Sequence, residues 1–333
     1  MALLFIDGFD HYGTNDFFRK WSNGQILSVS STLGRRGGGC VIRPDCYKNL
    51  STNYSTLIAG LAVYLSEFLV GLPHVIVTFS QGSTRLVTLA ATSAGEIAVW
   101  NSSGNIIGRT KPGLISLATW AYVEVKAVTG TTTGAIEVRV NGVSELVLTN
   151  VNTSSSTFTS VGFGGISNTA VMGGNSRVDD LYVIDTSGTS NNDFLGDCRV
   201  DAYMPTSEGP TQSWTPTPAG VHYTTVDEIP INSADYVESA TAGAVELFGY
   251  TDLVNIPLNI FGVQVNSAAR KTDAGSRYIN SAARISGTDY VSANLAVSDT
   301  TTYLHSIWDK SPATSAAWTR AEINGTDFGV KLV

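Results

Sequence analysis

The stretch WAYVEVKAVTGTTTGAIEVRVNG, residues 120–142, constrains the fold more tightly than any other part of the 333-residue chain. In an extended strand alternate side chains share a face. Val123 and Val125 fall on one face, and Trp120, Tyr122, Glu124 and Lys126 on the other. After the turn-like TGTTTG, Ile136, Val138 and Val140 alternate with Glu137 and Arg139. Pairing Val128 with Ala135 places Lys126 opposite Glu137, Glu124 opposite Arg139, Val125 opposite Val138 and Val123 opposite Val140. Each such pair contributes only about 0.2–1 kcal/mol, but a slip of one residue turns the apolar face outward, so the pattern fixes register. The two charge pairs are expected to close across the strands. Asn141-Gly142 then leads into VSELVLTN. A three-residue loop with Gly142 at positive φ brings Leu146 and Leu148 inward beside Val138 and Ile136.

Similar strand signals recur at 57–65, 74–82, 85–92, 96–110 and 177–185, with Gly, Asn and Ser between them. The chain holds 33 Gly and only 3 Met, and no apolar run follows helical spacing, so the expectation is an all-β protein built as sandwiches. No fixed-period repeat or heptad run points to a propeller, β-helix or coiled-coil shaft. TSGTSNND after Asp185 lacks an apolar anchor, and a fresh strand-like run, FLGDCRVDAYM, follows it. The predicted boundary lies near residue 192, giving domains 1–192 and 193–333, the second a smaller β-sandwich.

The net charge of -8 and a pI of about 5.0, with no basic cluster beyond Arg35-Arg36, argue against nucleic acid as a partner. MALLFIDGFDHYG has no basic region, and Asp7 breaks its apolar run early, so neither a signal peptide nor membrane insertion is expected. The expected place of synthesis and assembly is a cytoplasm. Charged residues make up 14% and hydrophobic ones 43%, which leaves a surface of Ser, Thr, Asn and Gly suited to permanent contact with other subunits. A homo-oligomer, a trimer foremost, is the expectation. Cys40, Cys46 and Cys198 are odd in number and lack C-x-x-C spacing, so they read as ordinary reduced cysteines.

The opening LLFIDGFDHYG, the hairpin GEIAVWNSSGNIIG, the strands LATWAYVEVKAV and GAIEVRVNG and the closing SRVDDLYVID occur in the order of the concanavalin A-like, laminin-G-like jelly roll, which residues 1–192 resemble. The junction NNDFLGDCRVDAYMPTSEGPTQSWTP and the final WDKSPATSAAWTRAEINGTDFGVKL are similar to those of tailed-bacteriophage virion proteins that join such a jelly roll to a second β module. The resemblance spans nearly the whole chain and rests on patterned strands, not on a catalytic motif. It implies a virion location.

Some jelly rolls of this type hydrolyse glycosides, which takes two carboxylates flanking the bond. No E-x-D-x-E or E-x-x-E run occurs, and the hairpin register gives Glu124 and Glu137 basic partners that would hold them ionised. His11, His74, His222 and His305 are scattered, and no G-x-S-x-G elbow supplies a nucleophile. The expectation is therefore that the chain is not an enzyme. GRRGGGC (34–40) lacks G-K-[ST] and reads as a surface turn, not a phosphate loop.

In related jelly rolls acidic residues at a strand end can help bind calcium, which makes Asp179 and Asp180 candidate ligands. Alternation puts one inward and one outward, and Arg177 is placed to pair with Asp179 instead. Among the aromatics, Trp100 and Trp120 are the candidates for stacking on sugar rings, with Trp214, Trp308 and Trp318 behind them, and core packing is the competing role.

The leading expectation is a non-enzymatic structural component of the tail, baseplate or fibre of a phage, self-associating, docked to other virion proteins and attaching to host-surface glycan. The rivals are a capsid decoration protein, a lectin-like adhesin and a glycan-cleaving depolymerase.

Overall fold

The computed structural model describes residues 2–68, 71–164 and 172–333. Nearly all of its regular structure is strand, and the chain divides into two compact units. The first comprises Met1–Asp10 and Trp21–Asp201, the second His11–Lys20 and Ala202–Val333.

The first unit is a jelly-roll sandwich. Its first sheet runs, in spatial order, Val143–Val151, Gly134–Val140, Trp120–Val128, Thr56–Tyr64, Arg177–Ile184, Cys40–Ile42 and Ser28–Ser30, with Leu3–Asp7 also on Arg177–Ile184. The second runs Ile106–Arg109, Ile97–Asn101, Thr84–Ala91, His74–Gln81, Phe158–Phe163, Asp45–Tyr54 and Asn23–Gln25. Phe5, Trp21, Phe79, Phe158 and Phe163 are buried in the core of this unit. Asp7 is buried with them, accepting from Trp21 Nε1 at 2.9 Å and from Phe9 N at 3.0 Å, so a carboxylate fixes the largest core ring.

The hairpin of residues 120–140 has the register its sequence dictates, from Val123↔Val140 through Glu124↔Arg139 and Lys126↔Glu137 to Val128↔Ala135. Leu146 lies opposite Val138 and Leu148 opposite Ile136. The connection is a two-residue turn, not the three-residue loop expected. Asn141 and Gly142 both take positive φ, Val140 pairs with Val143, and a bulge between Val138 and Arg139 restores the register.

The ion pairs drawn from that register do not form. Arg139 Nε binds Glu137 on its own strand at 2.8 Å, and Lys126 Nζ reaches Asp193 at 3.2 Å. Glu124 is buried and accepts instead from the Tyr182 hydroxyl and from Gly196 N at 2.8 Å. The cause is residues 193–200, which lie over this face of the first sheet. Tyr182 can reach Glu124 because Gly60 stands between them, where a Cβ would meet the Tyr182 ring at 2.2 Å.

Residues 193–201 thus belong to the first unit, not to the second module. Turn-rich TSGTSNND suggests a boundary at 192, whereas the residues after it are held on the first unit by the backbone N–H groups of Gly196 and Val200, by Asp193 on Lys126 and by Phe194 on Arg139.

The second unit is the smaller sandwich. A six-stranded sheet holds Pro205–Gln212, Val245–Tyr250, Thr326–Leu332, Arg277–Ile285 and Thr288–Val291, with Leu295–Val297 also on Arg277–Ile285. The ribbon of Val263–Ala269 and Thr302–Trp308 packs Val263, Val265 and Trp308 onto Ala283, Ile285 and Phe328.

Candidate functional site

Opposed residues of an antiparallel sheet share a face. Across the second sheet of the jelly roll Val161, Phe79 and Val87 stand in one row and are buried in the core. The flanking rows, Gly162–Thr78–Thr88–Trp100 and Ser160–Ser80–Arg85, therefore point the other way. Thr78, Ser80, Ser160 and Thr88 are buried although they belong to this outer face. The hydroxyls of Thr78, Ser80 and Ser160 have no hydrogen-bond partner among the described residues.

Beside them runs a groove of about 400 Å³, lined by Thr84, Arg85, Thr88, Trp100, Asn101 and Ser102 among others. Trp100 is half-buried, its ring packed on Val75 and Ala90, which leaves an apolar surface among donors and acceptors. Asn101 shapes the rim: its Oδ1 accepts from Ser103 N and Asn105 N at 3.1 Å, and its Nδ2 donates to Asn152 O at 3.3 Å. Burial raises the pKa of Asp45 to about 6 against the opposing charge of Arg85, so a carboxyl close to neutral pH lies within electrostatic reach of the groove. The groove thus sets an aromatic face beside hydroxyls and a guanidinium, an apolar surface with a few placed polar groups.

Trp120 stands on the other sheet. It lies opposite Tyr64, whose ring centroid is 5.6 Å away, and the Arg177 guanidinium is 4.6 Å from the Tyr64 centroid. The two tryptophans singled out by sequence are therefore not brought together. Trp318 donates to Trp308 O at 2.9 Å and Trp214 to Ala244 O at 3.2 Å, so the remaining three pin the second unit.

Asp179 and Asp180 are both buried, because the strand bulges between Asp179 and Tyr182 and Asp180 takes φ 51. Simple alternation had placed one of them outward. Asp179 accepts from Arg35 N at 2.8 Å and Asp180 N at 2.7 Å, and Asp180 accepts from Val200 N at 2.8 Å. The cation near them is Arg35, 3.7 Å from Asp180 Oδ2, while Arg177, the partner expected for Asp179, is on Tyr64. Three of their four oxygens serve protein groups, and among the described residues no three acidic, His or Cys side chains are gathered as metal ligands. Burial and then the Asp180 charge raise Asp179 to about 8. Burial also raises Asp180, against its bond to Val200 and the charges of Arg35 and Arg36. The glycine turn 34–40 is held by Asp179 and by Asp10, with Arg35 N donating to Asp179 and Gly39 N to Asp10.

Sequence reasoning missed the hydroxyl row. Its signal was present in VTFS, where Thr78 and Ser80 alternate with the core residues Val77 and Phe79. Glu124 stands opposite Arg139 as the register requires, but its partners are Tyr182 and Gly196 N.

No protein-family model and no curated protein matches the chain. Solved structures do. The alginate lyase Aly36B matches with a TM-score of 0.28 and 13% identity over 47% of this chain and 77% of its own. Domain 4 of AbnA, a GH43 extracellular arabinanase from Geobacillus stearothermophilus in complex with arabinotriose, gives 0.34 and 16% over 49% and 76%. The carbohydrate binding module CBM66 from Bacillus subtilis gives 0.32 and 10% over 49% and 92%. These likenesses concern the β-sandwich, and at such values they carry nothing about chemistry. They correct one expectation all the same: the matched folds include an alginate lyase and a domain of an arabinanase, so the exclusion of enzymatic activity does not stand.

Proposed function

We propose that the chain is a structural and surface-attaching component of a tailed-phage particle, self-associating, docked to other virion proteins and holding host glycan in the groove beside Trp100. The virion assignment rests on the sequence resemblance of the junction and C-terminal region. The observation that supports attachment is the half-buried Trp100 ring, backed by Val75 and Ala90 and set among Thr84, Arg85, Thr88 and Asn101 in an open groove.

The test is a glycan array probed with the full chain and three variants. Trp100→Ala is expected to weaken binding about tenfold or more, the usual scale for truncating a central aromatic anchor. Trp100→Phe retains most of it, and Trp120→Ala, on the other sheet, leaves it unchanged. Binding that depends on Trp120 and not on Trp100 overturns the groove assignment, and a chain that binds no glycan overturns attachment. A mass-spectrometric copy count on purified particles separates a tail component, present in few copies, from a capsid decoration protein present in many.

A further inference from the structure

The first sheet ends on one side in a strand that is long, apolar and unpaired. Val143–Val151 pairs with Gly134–Val140 and, among the described residues, with nothing on its other side. The other edges of the jelly roll are shorter: Leu3–Asp7, Ser28–Ser30, Asn23–Gln25 and Ile106–Arg109. Short edges are how soluble sheets avoid pairing with other chains, and a long apolar one invites it. Val143 is 56% exposed and Val147 61%. The strand's only charged residue, Glu145, is held by Lys111 Nζ at 3.0 Å.

We propose that this edge is an interface with a second copy of the chain, the two strands pairing antiparallel about a two-fold axis at Val147. The inference rests on the self-association part of the function proposed above and locates it. The register follows from the side chains. Opposed residues must share a face, and Val147 and Thr149 lie on one face while Leu146 and Leu148 lie on the other. Centring on Val147 sets Val147 against Val147 of the second copy and Leu146 against Leu148 twice, and it puts Glu145 across from Thr149. Centring on Leu148 sets Leu146 against the polar Asn150 and Val147 against Thr149, so the apolar side chains beside the axis face polar ones. Centring on Glu145 opposes two like charges, which an acidic chain resists. Such an edge closes as a dimer, the isologous case, and not as a trimer.

The experiment is sedimentation of the full chain over a range of concentrations. Val147→Lys places two cations on the axis and is expected to raise the dimer dissociation constant at least tenfold, while Val147→Thr changes it little. Val147→Cys in a Cys198→Ser background is expected to form an intermolecular disulfide on mild oxidation. Opposed Cα atoms about 4.5–5.5 Å apart suit that bond, and Cys40 and Cys46 are buried. Thr149→Cys, facing Glu145, is expected to stay reduced. A dimer unaffected by Val147→Lys, with no crosslink from Val147→Cys, overturns this interface and leaves self-association standing elsewhere. A wild-type chain that stays monomeric overturns both, and a trimer overturns the two-fold pairing alone.

Discussion

The two outer faces of the jelly roll follow the same rule and end differently. Each carries buried polar groups at alternating strand positions: Tyr122, Glu124 and Tyr182 on the first sheet, Thr78, Ser80 and Ser160 on the second. On the first, the chain itself supplies the cover. Residues 193–200 bring Gly196 N to Glu124 and Val200 N to Asp180, and Phe194 lies 4.0 Å from the Arg139 guanidinium. On the second, the hydroxyls lack partners among the described residues and an open groove runs beside Trp100. A polar group placed on a buried sheet face marks where something is to lie. On the first face residues 193–200 fill that place; on the second the hydroxyl row is buried without a hydrogen-bond partner among the described residues, and the groove opens beside it at Trp100.

The comparison breaks most directly at Glu124. Glu124→Ala strands the Tyr182 hydroxyl and Gly196 N–H in the interior, and it should cost about 2–3 kcal/mol, the range for buried bonds to a charged acceptor. Ser80→Ala on the open face removes a hydroxyl with no partner among the described residues, so it should cost under about 1 kcal/mol. Urea denaturation of the two variants measures both. Equal losses would mean that the two faces are held alike.

Acidity sharpens the contrast, because the covered face buries several carboxyls. Asp179 is raised to about 8, and Asp10 is raised to about 6 by burial against its bond from Gly39. A carboxyl with a raised folded-state pKa binds its proton more tightly when folded than when unfolded. Its contribution is complete below the unfolded value and is lost as pH rises through the folded one. Stability of the first unit should therefore fall between pH 5 and 8, by about 1.4 kcal/mol per pH unit for each proton released. Asp179→Asn should flatten the upper part of that profile. Denaturation midpoints measured across this range give the slope, and a stability that climbs with pH would contradict the burial of these acids.

What the sequence made legible was whatever side-chain alternation encodes. The hairpin register, the inward Leu146 and Leu148 and the all-β architecture are of this kind, since a one-residue slip inverts a face. Backbone donors carry no such signature, so Gly196, Val200 and Arg35 as partners of Glu124, Asp180 and Asp179 could not be read, and the domain boundary was misplaced with them. Bulges are similarly silent: the one between Asp179 and Tyr182 turned a predicted outward aspartate inward. Trp100 was found by residue type alone, while the groove around it needed three strands in register.

The smallest effect tests how far the cover reaches along the hairpin. Lys126 and Glu137 are opposed in register, yet Lys126 binds Asp193 and Glu137 binds Arg139. Glu137→Lys loses the Arg139 contact and sets a cation across from Lys126, which for exposed groups should cost no more than about 1 kcal/mol. Adding Lys126→Glu should recover little of that loss, because it also discards the Asp193 contact. In double-mutant cycles the coupling of Lys126 with Glu137 is expected below about 0.5 kcal/mol, and that of Lys126 with Asp193 at least as large. The reverse order would mean that side chains on this face follow the strand register alone, and that the segment beginning at Asp193 does not engage the sheet in solution.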